Sequence, residues 1–245
     1  MLAQHLLFVF LAVVAPAWDF YDTRRLKKNP SSAGKLRYYK TLAAWLWIGS
    51  AVAVLSVGWR PLFTIATAPS EIPWLLEHAW VFYLVEVVIA LFVAMMLLPI
   101  VIALRKKLLH QPRKYATADL LKSRGLDYFF PATRAERRWW IFLCITVGVC
   151  EETLFRGFLL RYLHTFPWML NLTLALLISA VIFGLGHLYQ GPGGAASTVV
   201  FGFMVGLLFI LTGSLLLPMI LHAAVDLRML AILRPPASEA TVASV

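Results

Sequence analysis

Charge is scarce in this chain. Only 14% of its 245 residues are Asp, Glu, Lys or Arg, and 61% are hydrophobic, whereas soluble domains carry about 25% charged residues. That deficit excludes an ordinary soluble enzyme and a disordered chain. Cysteine is nearly absent, with Cys144 and Cys150 alone, so the chain is no disulfide scaffold. The two lie in one apolar run, and six residues of helix rise about 9 Å, beyond the reach of a disulfide. Their number and spacing do not suggest a zinc-thiolate site. Internal repeats, low-complexity segments and the helical His-Glu-x-x-His zinc signature are all missing.

Apolar runs are what the chain has instead. At about 20 residues per spanning helix, its length holds six to eight spans. The expectation is an all-α, polytopic membrane helix bundle of about seven transmembrane helices. The first run, Met1 to about Trp18, carries Ala15-Pro16-Ala17, which resembles a cleavage site; because the basic residues follow the run, it reads as an uncleaved helix. Thr41–Trp59 is the second span, with Trp45, Trp47 and Trp59 as interfacial anchors. A loop from Pro61 to Pro73 with Glu71 precedes a third span, His78–Leu104, containing Glu86 and Pro99. The fourth span runs from Trp139 to about Tyr162 and the fifth from about Trp168 to Leu188. After the turn Gly191-Pro192-Gly193-Gly194 come a sixth span, Ala196–Leu211, and a seventh, Ser214–Leu233. The chain thus divides into N-terminal helices and basic loops (1–138), a core (139–233) and a tail (234–245) that opens on Pro235-Pro236. His5, His78, His110 and His164 sit at run ends or in loops and read as interfacial.

The basic residues are not spread evenly. Of 22 Lys and Arg, seven lie in 24–40 and ten in 105–138, between apolar runs. That is the positive-inside pattern and puts both loops in the cytoplasm, so seven spans leave the N-terminus outside; Arg228 and Arg234 near the last span agree. Such loops attract anionic lipid headgroups. Leu120, Leu121, Leu126, Tyr128, Phe129 and Phe130, interleaved with these charges, suggest a segment lying along the membrane surface. The net charge of +10 therefore points to the bilayer, and no reading module accompanies it that would suggest nucleic acid.

An ionisable group near the bilayer centre costs about 2.5–3.5 kcal/mol on insertion scales and is a functional hypothesis by default. Glu86, Glu151, Glu152, Arg156, His187, His222 and Asp226 are such groups, and six of them cluster in the C-terminal half. Glu152 and Arg156, spaced i and i+4, share a helix face and can pair, which leaves Glu151 without a partner on its own helix. His222 and Asp226 again share a face, so Asp226 either orients His222 or joins it on one ligand. Small residues beside them, Gly184, Gly186, Ala223 and Ala224, permit close helix approach. A carboxylate and two imidazoles converging in a bundle can activate water, with or without a metal; Glu151, His187 and His222 are the candidate ligands for a divalent ion such as zinc. Without a metal, Glu151 is the general base, His187 shares the water, and His222 with Asp226 stabilises the oxyanion. On straight upright helices, however, Glu151 and His187, placed near the cytoplasmic end of the fifth span, would not meet without tilting or a break at Gly184 or Gly186. Glu86 remains open, as a cavity residue or a partner of Arg156.

Three motifs in order, Glu-Glu-Thr-Leu-Phe-Arg (151–156), Phe-Gly-Leu-Gly-His (183–187) and His-Ala-Ala-Val-Asp (222–226), resemble the CPBP intramembrane proteases, which include type II CAAX prenyl endopeptidases and Abi proteins. The resemblance covers about residues 139–233. It implies an intramembrane endopeptidase of a multi-pass prokaryotic inner or plasma membrane, cutting a membrane-associated protein or peptide. Glu151 and His187 would activate water, Glu152 and Arg156 would hold the site together, and His222 and Asp226 would stabilise the tetrahedral intermediate. Asp226 departs from the Asn that the prenyl-protein branch resembles there, and a carboxyl group donates a hydrogen bond only when protonated; bacterial-type members fit better. The resemblance leaves a metal cofactor open. The main alternative is a non-catalytic scaffold or immunity protein using the same fold to bind a membrane partner. A proton-coupled transporter and a Cys150 nucleophile are weaker alternatives.

Overall fold

The computed structural model describes residues 1–65, 72, 74, 78–109, 125–165 and 167–233. Within lipid, backbone N–H and C=O groups must find partners inside the segment, which drives apolar runs into helix. Seven long helical rods result among these residues. They are α1 (Leu2–Lys28), α2 (Ser32–Val57), α3 (Ala79–Leu108), α4, α5 (Leu172–Leu185), α6 (Pro192–Thr212) and α7 (Leu216–Ile232). The rod α4 begins as Arg134–Glu152, passes through a π-helical stretch at Thr153–Leu159 and finishes as Leu160–His164.

Four rods, α1, α2, α3 and α6, are long and apolar enough to cross a membrane. The expected count of about seven spans is therefore met by length and composition in four of them. Of the rest, α4 carries the charged residues of the site, and α5 and α7 have only 14 and 17 residues. The helices also begin and end elsewhere than the apolar runs suggest. The second and third extend into the basic segments, to Ser32 and Leu108, because a helix continues past the bilayer wherever a polar cap stops it. Ser31 supplies that cap for α2, and Thr133 with Glu136 forms a reciprocal capping box on α4, satisfying donors that the first turn leaves free. Pro99 lies inside α3 without ending it. Loop residues Glu71, His110, Leu120 and Leu121, Arg234 and the tail from 234 lie outside the described residues.

The core is assembled on α4, which packs against α2 on one side and α7 on the other, while α5 pairs with α6 and α3 leans on α7. Helix α3 buries only Ile89 and Ala103, so most of its apolar surface faces outward, as a lipid-facing helix does. Glu86 is on that exposed surface, not beside Arg156. At one end of the bundle, single backbone contacts tie the segment after the short helix Trp59–Phe63 to the α6–α7 turn, with Thr64 bridging Ser214 and Leu215 N–H donating to the Phe63 carbonyl at 3.1 Å.

At the other end, the segment 125–130 departs from expectation. Tyr128 and Phe129 are 4% and 9% exposed and turn into the protein, not along a membrane surface. Tyr39 donates its hydroxyl to the Phe129 carbonyl at 2.5 Å. Lys35 donates to the carbonyls of Asp127 and Phe130 at 3.0 and 2.7 Å. These bonds satisfy loop carbonyls that would otherwise hold the aromatic side chains near water.

Candidate active site

Position along the chain decides which polar residues can meet, and the decisive element is α5. Asn171 accepts from Leu174 N–H at 2.8 Å and starts the helix at Leu172, four residues later than the apolar run begins. The helix stops at Leu185, giving 14 residues or about 21 Å, well short of a hydrocarbon core of about 30 Å. His187 therefore lies partway down the bundle, not at the far end of a full span. Measured from the same α4–α5 turn, which Leu170 N–H closes on the Leu163 carbonyl at 3.1 Å, Glu151 sits roughly 20 Å down α4. The two residues reach the same depth because α5 is short. After His187 a 3₁₀ turn, Leu188–Gln190, and Gly191 at φ 86° reverse the chain into α6, with Pro192 in its first turn, where its missing N–H costs nothing.

Close helix contacts bring the third motif in. A Cβ on Gly148 of α4 would meet Ala223 N at 2.8 Å and the Met219 carbonyl at 2.9 Å on α7. That near contact sets Glu151 and Glu152 opposite His222 and Asp226, and it uses Ala223, one of the small residues flagged in the sequence. Similarly, a Cβ on Gly184 would meet the Ala195 carbonyl at 2.9 Å, so α5 and α6 touch backbone to backbone.

The two acids then take different surroundings. Glu152 is fully buried; its Oε1 accepts from Arg156 Nη1 at 3.1 Å and lies 2.7 Å from His222 Nδ1. Arg156 also donates to the Gly202 carbonyl at 2.9 Å and lies over the Phe183 ring at 4.5 Å. Gly202 is a member that no sequence pattern flagged: a Cβ there would come within 3.2 Å of the guanidinium. The expected Glu152–Arg156 pair is thus present, and its neighbour His222 is oriented by Glu152. Asp226 does not orient it, since its Oδ2 is 3.9 Å from His222 Nε2.

Glu151 lines a cavity, with its side chain 12% exposed. Its Oε2 is buried with no hydrogen-bond partner, as is Oε2 of Glu152, and is 4.0 Å from His222 Nε2. His187 Nδ1 is 2.9 Å from the Phe183 carbonyl; as a carbonyl only accepts, Nδ1 carries the proton and Nε2 keeps its lone pair in the neutral ring. Glu151, His187, His222 and Asp226 all line one cavity of about 340 Å³. Cys150 is fully buried and is not among the residues of that wall; both cysteines are free thiols.

Among the described residues no three His, Cys, Asp or Glu side chains are grouped so as to hold an ion. Glu151, His187 and His222 are not such a group, although His222, with Nδ1 held by Glu152, has Nε2 4.0 Å from Glu151.

These features define an integral membrane protein of helices with a buried Glu/His cluster lining an internal cavity. Residues 134–228 match the family model described as type II CAAX prenyl endopeptidase Rce1-like. The matched stretch runs from the first residue of α4 into the last turns of α7 and contains the six candidate residues Glu151, Glu152, Arg156, His187, His222 and Asp226. No curated protein matches the chain, and no solved structure matches it.

Proposed function

We propose that the protein is an intramembrane endopeptidase that hydrolyses a peptide bond of a membrane-associated protein, of CAAX type or of the C-terminal sorting or bacteriocin type, with water activated by Glu151 and His187. The observation that carries this reading is Glu151 in the cavity wall, its side chain 12% exposed, beside an adjacent acid that is 0% exposed and whose Oε1 is occupied by Arg156 and His222. A purely structural pair of acids would leave neither exposed to a cavity, and the family match over 134–228 supports a protease.

In the reaction, the water oxygen attacks the scissile carbonyl carbon while Glu151 accepts its proton, and His187 Nε2 holds the second water hydrogen. The carbonyl oxygen becomes an oxyanion beside His222 and Asp226. His222 donates from Nε2 when both ring nitrogens are protonated, with Nδ1–H held by Glu152; Asp226 donates only as the carboxylic acid. Glu151 then passes its proton to the departing amine, so that one water is consumed and an acid and an amine form. Glu152 and Arg156 touch no reacting atom and position His222. Seven crossings, with both basic loops in the cytoplasm and the N-terminus outside, would put this chemistry within the bilayer.

The test compares protein termini in membranes from cells carrying wild type, Glu151→Gln or no copy. Termini that need the protein are expected to vanish equally in the null and the variant. In a purified assay Glu151→Gln should lose about 10²–10⁴-fold in rate. Glu151→Gln rescuing every phenotype of the null, with no terminus dependent on the protein, would establish a scaffold instead.

A further inference from the structure

A second acid faces the same two site residues from the N-terminal half. Asp19 on α1 is 8% exposed. Tyr38 donates its hydroxyl to Oδ1 at 2.5 Å, whereas Oδ2 is buried and has no hydrogen-bond partner. No cation of the described residues reaches it; the nearby Arg37 pairs with Asp22 at 3.6 Å. Holding Tyr38 accounts for one oxygen only, and a buried carboxylate oxygen left without a donor carries a desolvation penalty.

Asp19 lines a cavity of about 100 Å³ that also has Glu151 and His187 in its wall. Its other walls are largely apolar and aromatic, with Trp18 stacked on Tyr38 at 6.4 Å and Phe10 and Trp45 close by. Because Glu151, His187 and Tyr189 also line the larger cavity, a peptide whose scissile bond rests at Glu151 would direct its neighbours into both spaces.

We infer that Asp19 is a specificity-determining residue that takes a Lys or Arg side chain of the substrate, next to the scissile bond, into this smaller cavity. The inference rests on the endopeptidase reading above. A basic side chain matches the site on each count. Its charged end meets the Asp19 carboxylate, and its alkyl stem covers the apolar and aromatic wall. A wholly apolar side chain would leave Oδ2 unsatisfied.

The experiment uses the full-length protein in detergent micelles and the substrate sequence identified by the terminus comparison, made as peptides in which each residue within four of the scissile bond is replaced in turn by Lys or by norleucine. At one position Lys should raise wild-type kcat/KM over norleucine by about tenfold or more. Asp19→Asn should bring that ratio close to one, and Asp19→Glu should restore part of the preference. A ratio unchanged in Asp19→Asn, a wild type without preference, or an equal fall for both peptides would overturn the inference, the last by showing that Asp19 merely holds Tyr38. Cleavage by wild type no faster than by Glu151→Gln would instead bring down the endopeptidase reading itself, a result separable from the others because it does not involve Asp19.

Discussion

Adjacent residues on a helix are turned about 100° from each other, and in α4 that rotation separates two acids with the same chemistry. Glu152 is enclosed with Arg156, and their side chains are 0% and 2% exposed. A buried pair of this kind contributes little net stability when intact, but removing one partner strands the other and costs about 3–5 kcal/mol. Arg156→Met should therefore destabilise the protein by about that amount in denaturant unfolding from detergent. Adding Glu152→Gln should recover part of the loss, giving a coupling of about 1–3 kcal/mol; strict additivity of the two substitutions would refute the pairing. The i,i+4 spacing made this pair legible in the sequence, and the solitary state of Glu151 followed from the same geometry. The partner of His222 was not legible. Local spacing pointed to Asp226, but the nearer acceptor lies on another helix, and only the packing of α7 on α4 reveals it.

Helices fix where such side chains meet, and here two small features do so. One is the contact at Gly148, where any Cβ would collide with the backbone of α7. Gly148→Ala should push α4 and α7 apart, lower stability by about 1–3 kcal/mol and slow cleavage by lengthening the 2.7 Å Glu152–His222 contact. Melting temperature and rate read the two effects separately, and neither should match wild type. The second feature is the length of α5. Hydropathy runs through Trp168–Leu188 without a break, so composition indicated a full span and stranded His187 at its end. The boundary signals are weak in sequence: an Asn cap at 171 that starts the helix, and glycines at 184 and 186 that could equally belong to a helix interior. A break near these glycines was one way to join His187 to Glu151, and the helix does end at Leu185. The π-helical stretch at Thr153–Leu159, which begins one residue after Glu152, left no trace in the pattern, since π turns reflect local packing more than residue type.

For the whole molecule, the charge distribution and the lengths of the rods bear on how the chain lies in a bilayer. Cysteines introduced at Lys28 and Arg105, near the ends of α1 and α3, should be labelled by an impermeant maleimide only from the cytoplasmic side. Met169→Cys, in the α4–α5 turn where Met169 is 75% exposed, should be labelled only from outside. Label reaching Arg105→Cys from outside would overturn the orientation. The native thiols are buried and should add little background. By itself the sequence determined the class of solvent, the helical architecture and the identity of the polar residues. Each of these follows from composition or from spacing within one helix, where geometry is fixed by the 3.6-residue turn. Tertiary structure decided which acid is closed off and which faces a cavity, how deep His187 sits, that Tyr128 and Phe129 turn inward, and that Asp19 shares a space with Glu151. Those outcomes depend on contacts between helices, on where each helix stops and on which backbones approach closely, and a periodic pattern along one helix carries no information about its neighbours.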